Sequence, residues 1–207
     1  GQVVELHTQH YKDDFDIDKE LLPQVYESSQ VVGNITEDIA IKTGLSTNTI
    51  VVAGAGDQAA AAVGNGVIKP GCTSISLGTS GVVFTAVDKP VYDKIGRSHT
   101  FCHAVENMWH VMGVTQGCGL SVNWFRKNFA QEYSYAELDE NAKGITSDGI
   151  IYLPYLMGER TPHLDPNCRG SFTGFSVNHN RFNFYRAVLE GICFSLKDCC
   201  EVICESG

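Results

Sequence analysis

The sequence predicts an α/β fold, and three observations carry that reading. A β-branched run, Thr49-Ile50-Val51-Val52, leads through a glycine turn into a small-residue helical stretch beginning at Asp57. Four apolar segments at 72–77, 81–87, 98–105 and 108–114 read as consecutive strands of a β-meander. Tyr185, Val188, Leu189, Ile192, Leu196, Cys199 and Ile203 recur at helical spacing and predict a long amphipathic helix from about Asn183. Strands and helices that alternate in this way stack as layers.

The elements follow in order. Asp18 to Gln24 can begin a short helix, with Pro23 tolerated in its first turn. Thr36 is placed to cap a helix that Gly44 ends. A strand over 49–53 and a helix over 57–64 come next. Gly66-Val67-Ile68-Lys69-Pro70-Gly71 is rich in turn residues, so a domain boundary is placed there, dividing 1–68 from 69–207. The last two strands of the meander face each other across Glu106-Asn107, a hairpin turn. Helices are expected over 117–129 and 134–142, and a short strand over 150–154. The Gly-, Pro- and Asp-rich segment 158–174 is expected to be a long loop that is functional or braces an interface. Within it, Glu159-Arg160-Thr161-Pro162-His163-Leu164-Asp165-Pro166 is expected to be a stiff loop holding an ion pair.

Composition limits the function classes. The chain has 207 residues, 43% of them hydrophobic and 19% charged, enough for a buried core. A net charge of −9 with no basic patch argues against nucleic-acid binding. The acidic run Asp13-Asp14-Phe15-Asp16-Ile17-Asp18 lacks the glycine and terminal glutamate of a calcium loop. No apolar run reaches bilayer length and no secretion signal opens the chain, so a membrane association is not expected. The eight cysteines include no Cys-x-x-Cys pair and are expected to be buried free thiols of a cytoplasmic protein. His99, Cys102 and His103 lie on a strand that turns Cys102 away from the two histidines, which argues for structural histidines over a zinc site.

Asp57 is the principal candidate for chemistry. It follows a strand and stands in the first turn of a helix, where backbone N–H groups favour a negative partner. In phosphoryl transfer the transition state is loose, so orienting a hydroxyl matters more than strong basicity. A plain helix cap is the alternative reading of Asp57 and stands level with it. Gly78-Thr79-Ser80-Gly81 offers backbone N–H groups and hydroxyls to a phosphate, or is an ordinary hairpin turn. It is neither a Walker A loop nor a dinucleotide fingerprint. Gly117-Cys118-Gly119 opens the helix carrying Asn123; such glycines admit a ligand against the backbone, or simply close packing.

Five ordered segments together resemble the FGGY family of carbohydrate kinases, and within it the bacterial xylulokinases. They are Val52-Ala53-Gly54-Ala55-Gly56-Asp57-Gln58-Ala59-Ala60, Ser76-Leu77-Gly78-Thr79-Ser80-Gly81-Val82, His99 to Ala104 with Trp109 to Met112, Tyr152 to His163, and Gly170 to Phe175 continuing to Glu190. The resemblance runs from about residue 30 to the end. It implies a ribonuclease H-like, actin-like ATPase fold in two domains. It also implies transfer of a phosphate from ATP, with Mg2+, to a sugar hydroxyl. On this resemblance Asp57 is the catalytic base and meets Mg2+ through water, and Asp57 and Gln58 contact the sugar. Gly78, Thr79, Ser80, Gly119 and Asn123 contact the nucleotide. Gln58 stands where some xylulokinases have Asn and where glycerol kinases also have Gln. The family's opening Asp-Gly-Thr motif and its adenosine-binding glycine-rich loop are not in this sequence. The expected piece is therefore the end of domain I, on the sugar side, plus the first part of domain II, on the nucleotide side. Apolar surface left uncovered by the remainder favours association, as a homo-oligomer, or aggregation, and the sequence leaves the oligomeric state open.

Overall fold

The computed structural model describes residues 18–21 and 23–207. Most of the acidic run at 13–18 lies outside the described residues. Contacts gather the chain into two units, one of residues up to Ile68 with Cys102–Trp109, the other of Lys69–Phe101 with His110–Gly207. The tip of one hairpin thus counts with the first unit.

In the first unit, Lys19–Leu21 form only a 3-10 turn where a helix over 18–24 was expected. Strand β1 (Val31–Asn34) pairs antiparallel with β2 (Ile50–Val52), Asn34 opposite Ile50. The apolar run of β1 is broken by Gly33, which hides it from a pattern search. Between them lies α1 (Glu37–Thr43), with Thr36 at the N-cap position and Gly44 closing it in the left-handed region. The Thr36 hydroxyl makes no capping bond. After β2 the chain turns at Gly54, φ 77°, a conformation that favours glycine, and enters α2 (Asp57–Gly64). Ala59 and Ala62, three apart, form the buried face of α2.

The second unit is built on a four-stranded sheet. β3 (Thr73–Leu77) and β4 (Gly81–Val87) are an antiparallel hairpin, followed by β5 (His99–Cys102) and β6 (Trp109–Thr115). The order is β3-β4-β6-β5, which corrects the expected meander. The reason lies in burial. β6 is buried or half-buried along its whole length, as is β4, so these two take the centre. β5 carries exposed Phe101 and Cys102 and goes to the edge. The turn predicted at Glu106-Asn107 forms, with Met108 N–H donating to the Val105 carbonyl at 3.2 Å and Asn107 at φ 58°.

Helices α3 (Gly119–Phe129), α4 (Tyr135–Ala142) and α5 (Arg181–Ser206) follow this sheet in the chain, with β7 (Ile151–Leu153) paired antiparallel to β8 (Ser171–Thr173). α5 packs against α3, α4, β4 and β7. The core joins Val83, Val111, Phe125, Leu138, Tyr185 and Val188. Helix α5 starts two residues before the expected Asn183, because Asn180 and Asn183 cap it reciprocally: Phe182 N donates to Asn180 Oδ1 at 2.8 Å, and Asn180 N to Asn183 Oδ1 at 3.0 Å. On α3 the buried residues are Ser121 and Phe125, not the whole apolar set; Phe129 is exposed. Ser121 fits inside because its hydroxyl donates to Gly117 O and accepts from Tyr152.

Two further expectations are corrected. Segment 158–174 is not loop throughout: it contains β8 and a bridge between Glu159 and Asp165. The cysteines are free but only Cys118 and Cys199 are buried; Cys102, Cys193 and Cys204 are exposed, because they fall on the outward side of an edge strand and of α5.

Two stability outcomes follow. Leu138 is fully buried, so Leu138→Ala is expected to lower unfolding stability by about 2–5 kcal/mol in denaturant titration. Asp93 accepts two side-chain bonds and one backbone bond from Arg97, which hold its carboxyl down at about 2 from an ordinary 3.8. A lowered folded-state value gives stability that is full above 3.8 and lost as pH falls toward 2. Melting temperature measured across that window should fall more steeply for the wild type than for Asp93→Asn.

Candidate functional site

Within the first unit, β2, the Gly54 turn and the first turn of α2 fix Asp57. Gly56 occupies the N-cap position, with φ −60° and ψ 151°, so Asp57 is the first helical residue and the plain-cap reading does not hold. Its side chain is exposed, and Oδ1 accepts from Gln58 N–H at 2.8 Å. Oδ2 makes no hydrogen bond among the described residues. Gln58 is half-buried beside it.

The second unit brings the other candidates together. Gly78, Thr79 and Ser80 form the β3–β4 turn, with Gly78 N–H donating to Ser80 O at 3.0 Å. The turn rests on the start of α3: Gly119 N–H donates to Gly78 O at 2.8 Å and Leu120 N–H to Thr79 O at 3.1 Å. Ser121 N–H donates to Cys118 O. Three of the N–H groups that a helix start normally leaves open are therefore taken. The N–H groups of Thr79 and Ser80 make no hydrogen bond among the described residues, and Thr79 is exposed. In this arrangement the turn, and not the helix end, is the part able to receive a phosphate.

Gly119 is required by this contact. A Cβ there would stand 2.6 Å from the Gly78 carbonyl oxygen. Close packing is thus the structural role of this glycine. Asn123 lies one helical turn further along the same face of α3 and is exposed; its Oδ1 accepts from Tyr135 at 3.2 Å, and its amide hydrogens make no hydrogen bond among the described residues.

Sequence reasoning missed how Glu159 is used. It is 3% exposed and forms no ion pair among the described residues. Its Oε2 accepts from the Thr115 hydroxyl at 2.7 Å, and its Oε1 from the N–H groups of Gln116 at 2.9 Å and Arg160 at 2.7 Å. Arg160 turns instead to His99 Nε2 at 3.0 Å. Arginine only donates, so that nitrogen is the acceptor, and burial together with the Arg160 charge pushes the His99 pKa down. His99 is thereby tied to the 159–161 segment, and among the described residues no group of three or more His, Cys, Asp or Glu side chains is arranged to hold a metal. An apolar cavity of about 450 Å3 lined by Phe125, Phe129, Phe172, Phe175 and Phe184 lies toward the far end of α3, away from the Gly78 turn.

Residues 73–207 match the C-terminal domain of the FGGY family of carbohydrate kinases, and residues 2–64 match its N-terminal domain. The chain belongs to this family. It is 40% identical over 193 residues to the xylulose kinase of Bacillus subtilis, covering 92% of this chain and 39% of that one. The solved ligand-bound xylulose kinase of Lactobacillus acidophilus is similar at 30% identity with a TM-score of 0.87, over 94% of this chain and 40% of that one. The gluconate kinase of the same organism is similar at 31% identity and a TM-score of 0.86, with the same coverage. The chain thus spans about two-fifths of the length of these relatives. These likenesses give the family's actin-like, ribonuclease H-like fold. Among the described residues no helix is long and apolar enough to cross a membrane.

The Gly119 contact gives a direct expectation. Gly119→Ala must displace the Gly78 turn, and should cost about 1–3 kcal/mol in unfolding stability. Denaturant midpoints read it, and an unchanged midpoint contradicts the packing described.

Proposed function

We propose that the protein of which this chain is part transfers the γ-phosphate of ATP to the 5-hydroxyl of D-xylulose, giving D-xylulose 5-phosphate and ADP. The observation that carries this reading is the placement of Asp57. A carboxylate stands exposed in the first turn of α2, immediately after β2, with one oxygen unengaged among the described residues. It does so in a chain 40% identical to a xylulose kinase. Asp57 accepts the proton of the attacking hydroxyl and orients it, and Gln58 contacts the sugar. Thr79 and Ser80 donate backbone N–H groups to nucleotide phosphate at Gly78, and Gly119 and Asn123 line the nucleotide.

Mg2+ is the metal such a reaction uses. A lone exposed carboxylate suits a hydrated Mg2+ held mainly by phosphates, and Asp57 would meet it through water. When bound, the ion supplies neutralisation of phosphate charge. On this reading residues 1–68 belong to the sugar-binding domain and 69–207 to the nucleotide-binding domain. Eight free thiols support a reducing, cytoplasmic setting. Gluconate is the second acceptor to test, since a gluconate kinase shares fold and identity at almost the same level.

Asp57→Ala in the full-length protein should lower xylulose-dependent ADP release by about 10²–10⁴-fold or more in a coupled assay. Retained activity would remove Asp57 from the mechanism. A panel of xylulose, gluconate, glycerol and ribulose identifies the acceptor, with the highest kcat/KM expected for xylulose. The 207-residue chain alone is expected to show no such turnover.

A further inference from the structure

We propose that Glu159 is a positioning residue for the nucleotide-phosphate site, acting through Thr115 and Gln116 on the turn that delivers Gly119 to Gly78. The inference rests on the reading of Gly78, Thr79 and Gly119 as the nucleotide side of the site.

A carboxylate buried to 3% exposure is costly unless its oxygens are well bonded. Here both are, and the donors have a common address. Thr115 is the last residue of β6 and Gln116 the first of the connection into α3. Three residues beyond Gln116, Gly119 N–H meets Gly78 O. Glu159 therefore grips the connection at its root. Ser195 of α5 donates to Thr115 Oγ1 at 2.7 Å, so the Thr115 proton is directed onto Glu159. The second anchor comes from Thr161, whose backbone pairs with Val114: Thr161 N–H donates to Val114 O at 3.0 Å, and Val114 N–H to Thr161 Oγ1 at 3.1 Å. The 159–161 segment thus runs along the end of β6 and holds it, with the carboxylate placed where the strand gives way to the turn.

A carboxylate is suited to this place because both oxygens accept and neither donates. In Glu159→Gln the packing volume is kept but one end becomes a donor. It then faces either the two N–H groups or a Thr115 hydroxyl whose proton already points at it. The connection loses one of its fixed points without a cavity being opened.

The test is calorimetry of MgADP binding alongside steady-state kinetics on the full-length protein. Glu159→Gln should weaken MgADP and raise the KM for ATP by about tenfold, with the KM for xylulose unchanged. Thr115→Val should act in the same direction, and Thr115→Ser, which restores the hydroxyl, should bind as the wild type does. MgADP affinity unchanged in Glu159→Gln overturns the proposal. So does a parallel rise of both KM values that follows a fall in melting temperature, which marks general loosening. Should Glu159→Gln fail to fold, the Thr115→Val and Thr115→Ser pair decides by the same readings. If the wild type binds MgADP but phosphorylates no sugar, the proposed activity fails while the binding comparison still judges Glu159. A wild type that binds no nucleotide overturns both.

Discussion

The β3–β4 turn and the start of α3 satisfy each other's backbone. Carbonyls of Gly78 and Thr79 accept from the N–H groups of Gly119 and Leu120, and no side chain intervenes, because position 119 has none. Buried or closely packed polar groups must be paired, and this contact pairs them without spending the N–H groups of the turn itself. Several elements of the second unit support it. The sheet centre, β4 and β6, supplies the strand ends that carry the two partners. Helix α5 packs on β4 and reaches Thr115 through Ser195. The 159–161 segment fixes the end of β6. A helix N-terminus is often the anion site in α/β folds. Here it is spent on the protein, and the Thr79 and Ser80 N–H groups of the turn are left without a hydrogen bond among the described residues.

Two carboxylates illustrate how environment divides labour. Asp57 stands exposed on the first turn of α2 with one side-chain bond among the described residues, from the adjacent N–H. Glu159 lies buried with three bonds from groups brought together by the fold. The first is free to engage a ligand; the second is held by three donors and serves geometry. Charge alone does not separate them. Hydrogen bonding and exposure do.

Much of this was legible in the sequence where the signal is local. The strand, glycine turn and helix around Asp57 form a short pattern, and α2 spans the residues expected. The hairpin turn at Glu106-Asn107 and the buried stripe of α5 are likewise set by neighbours in sequence. What stayed hidden is nonlocal. Strand order depends on which strand is buried on both faces, and β6 displaced β5 from the place that a meander gives it. Strand β8 is three residues long and has meaning only beside β7. The ion pair expected within 159–166 does not form among the described residues, because Glu159 and Arg160 bond to partners far away: Thr115, 44 positions earlier, and His99, 61 positions earlier. No spacing rule reaches across such separations, although a charged residue between glycine and proline in an apolar surround is a signal that something must satisfy it.

The protein's own turn occupies the start of α3, and on the proposed function ligand phosphate goes to the turn. Amide hydrogen exchange of the full-length protein, with and without MgADP, reads both halves at once. The Gly119 and Leu120 amides should be protected without nucleotide, and the Thr79 and Ser80 amides should gain protection only when MgADP is added. Gly119 and Leu120 amides that exchange freely until nucleotide arrives, with Thr79 and Ser80 indifferent to it, would contradict this arrangement.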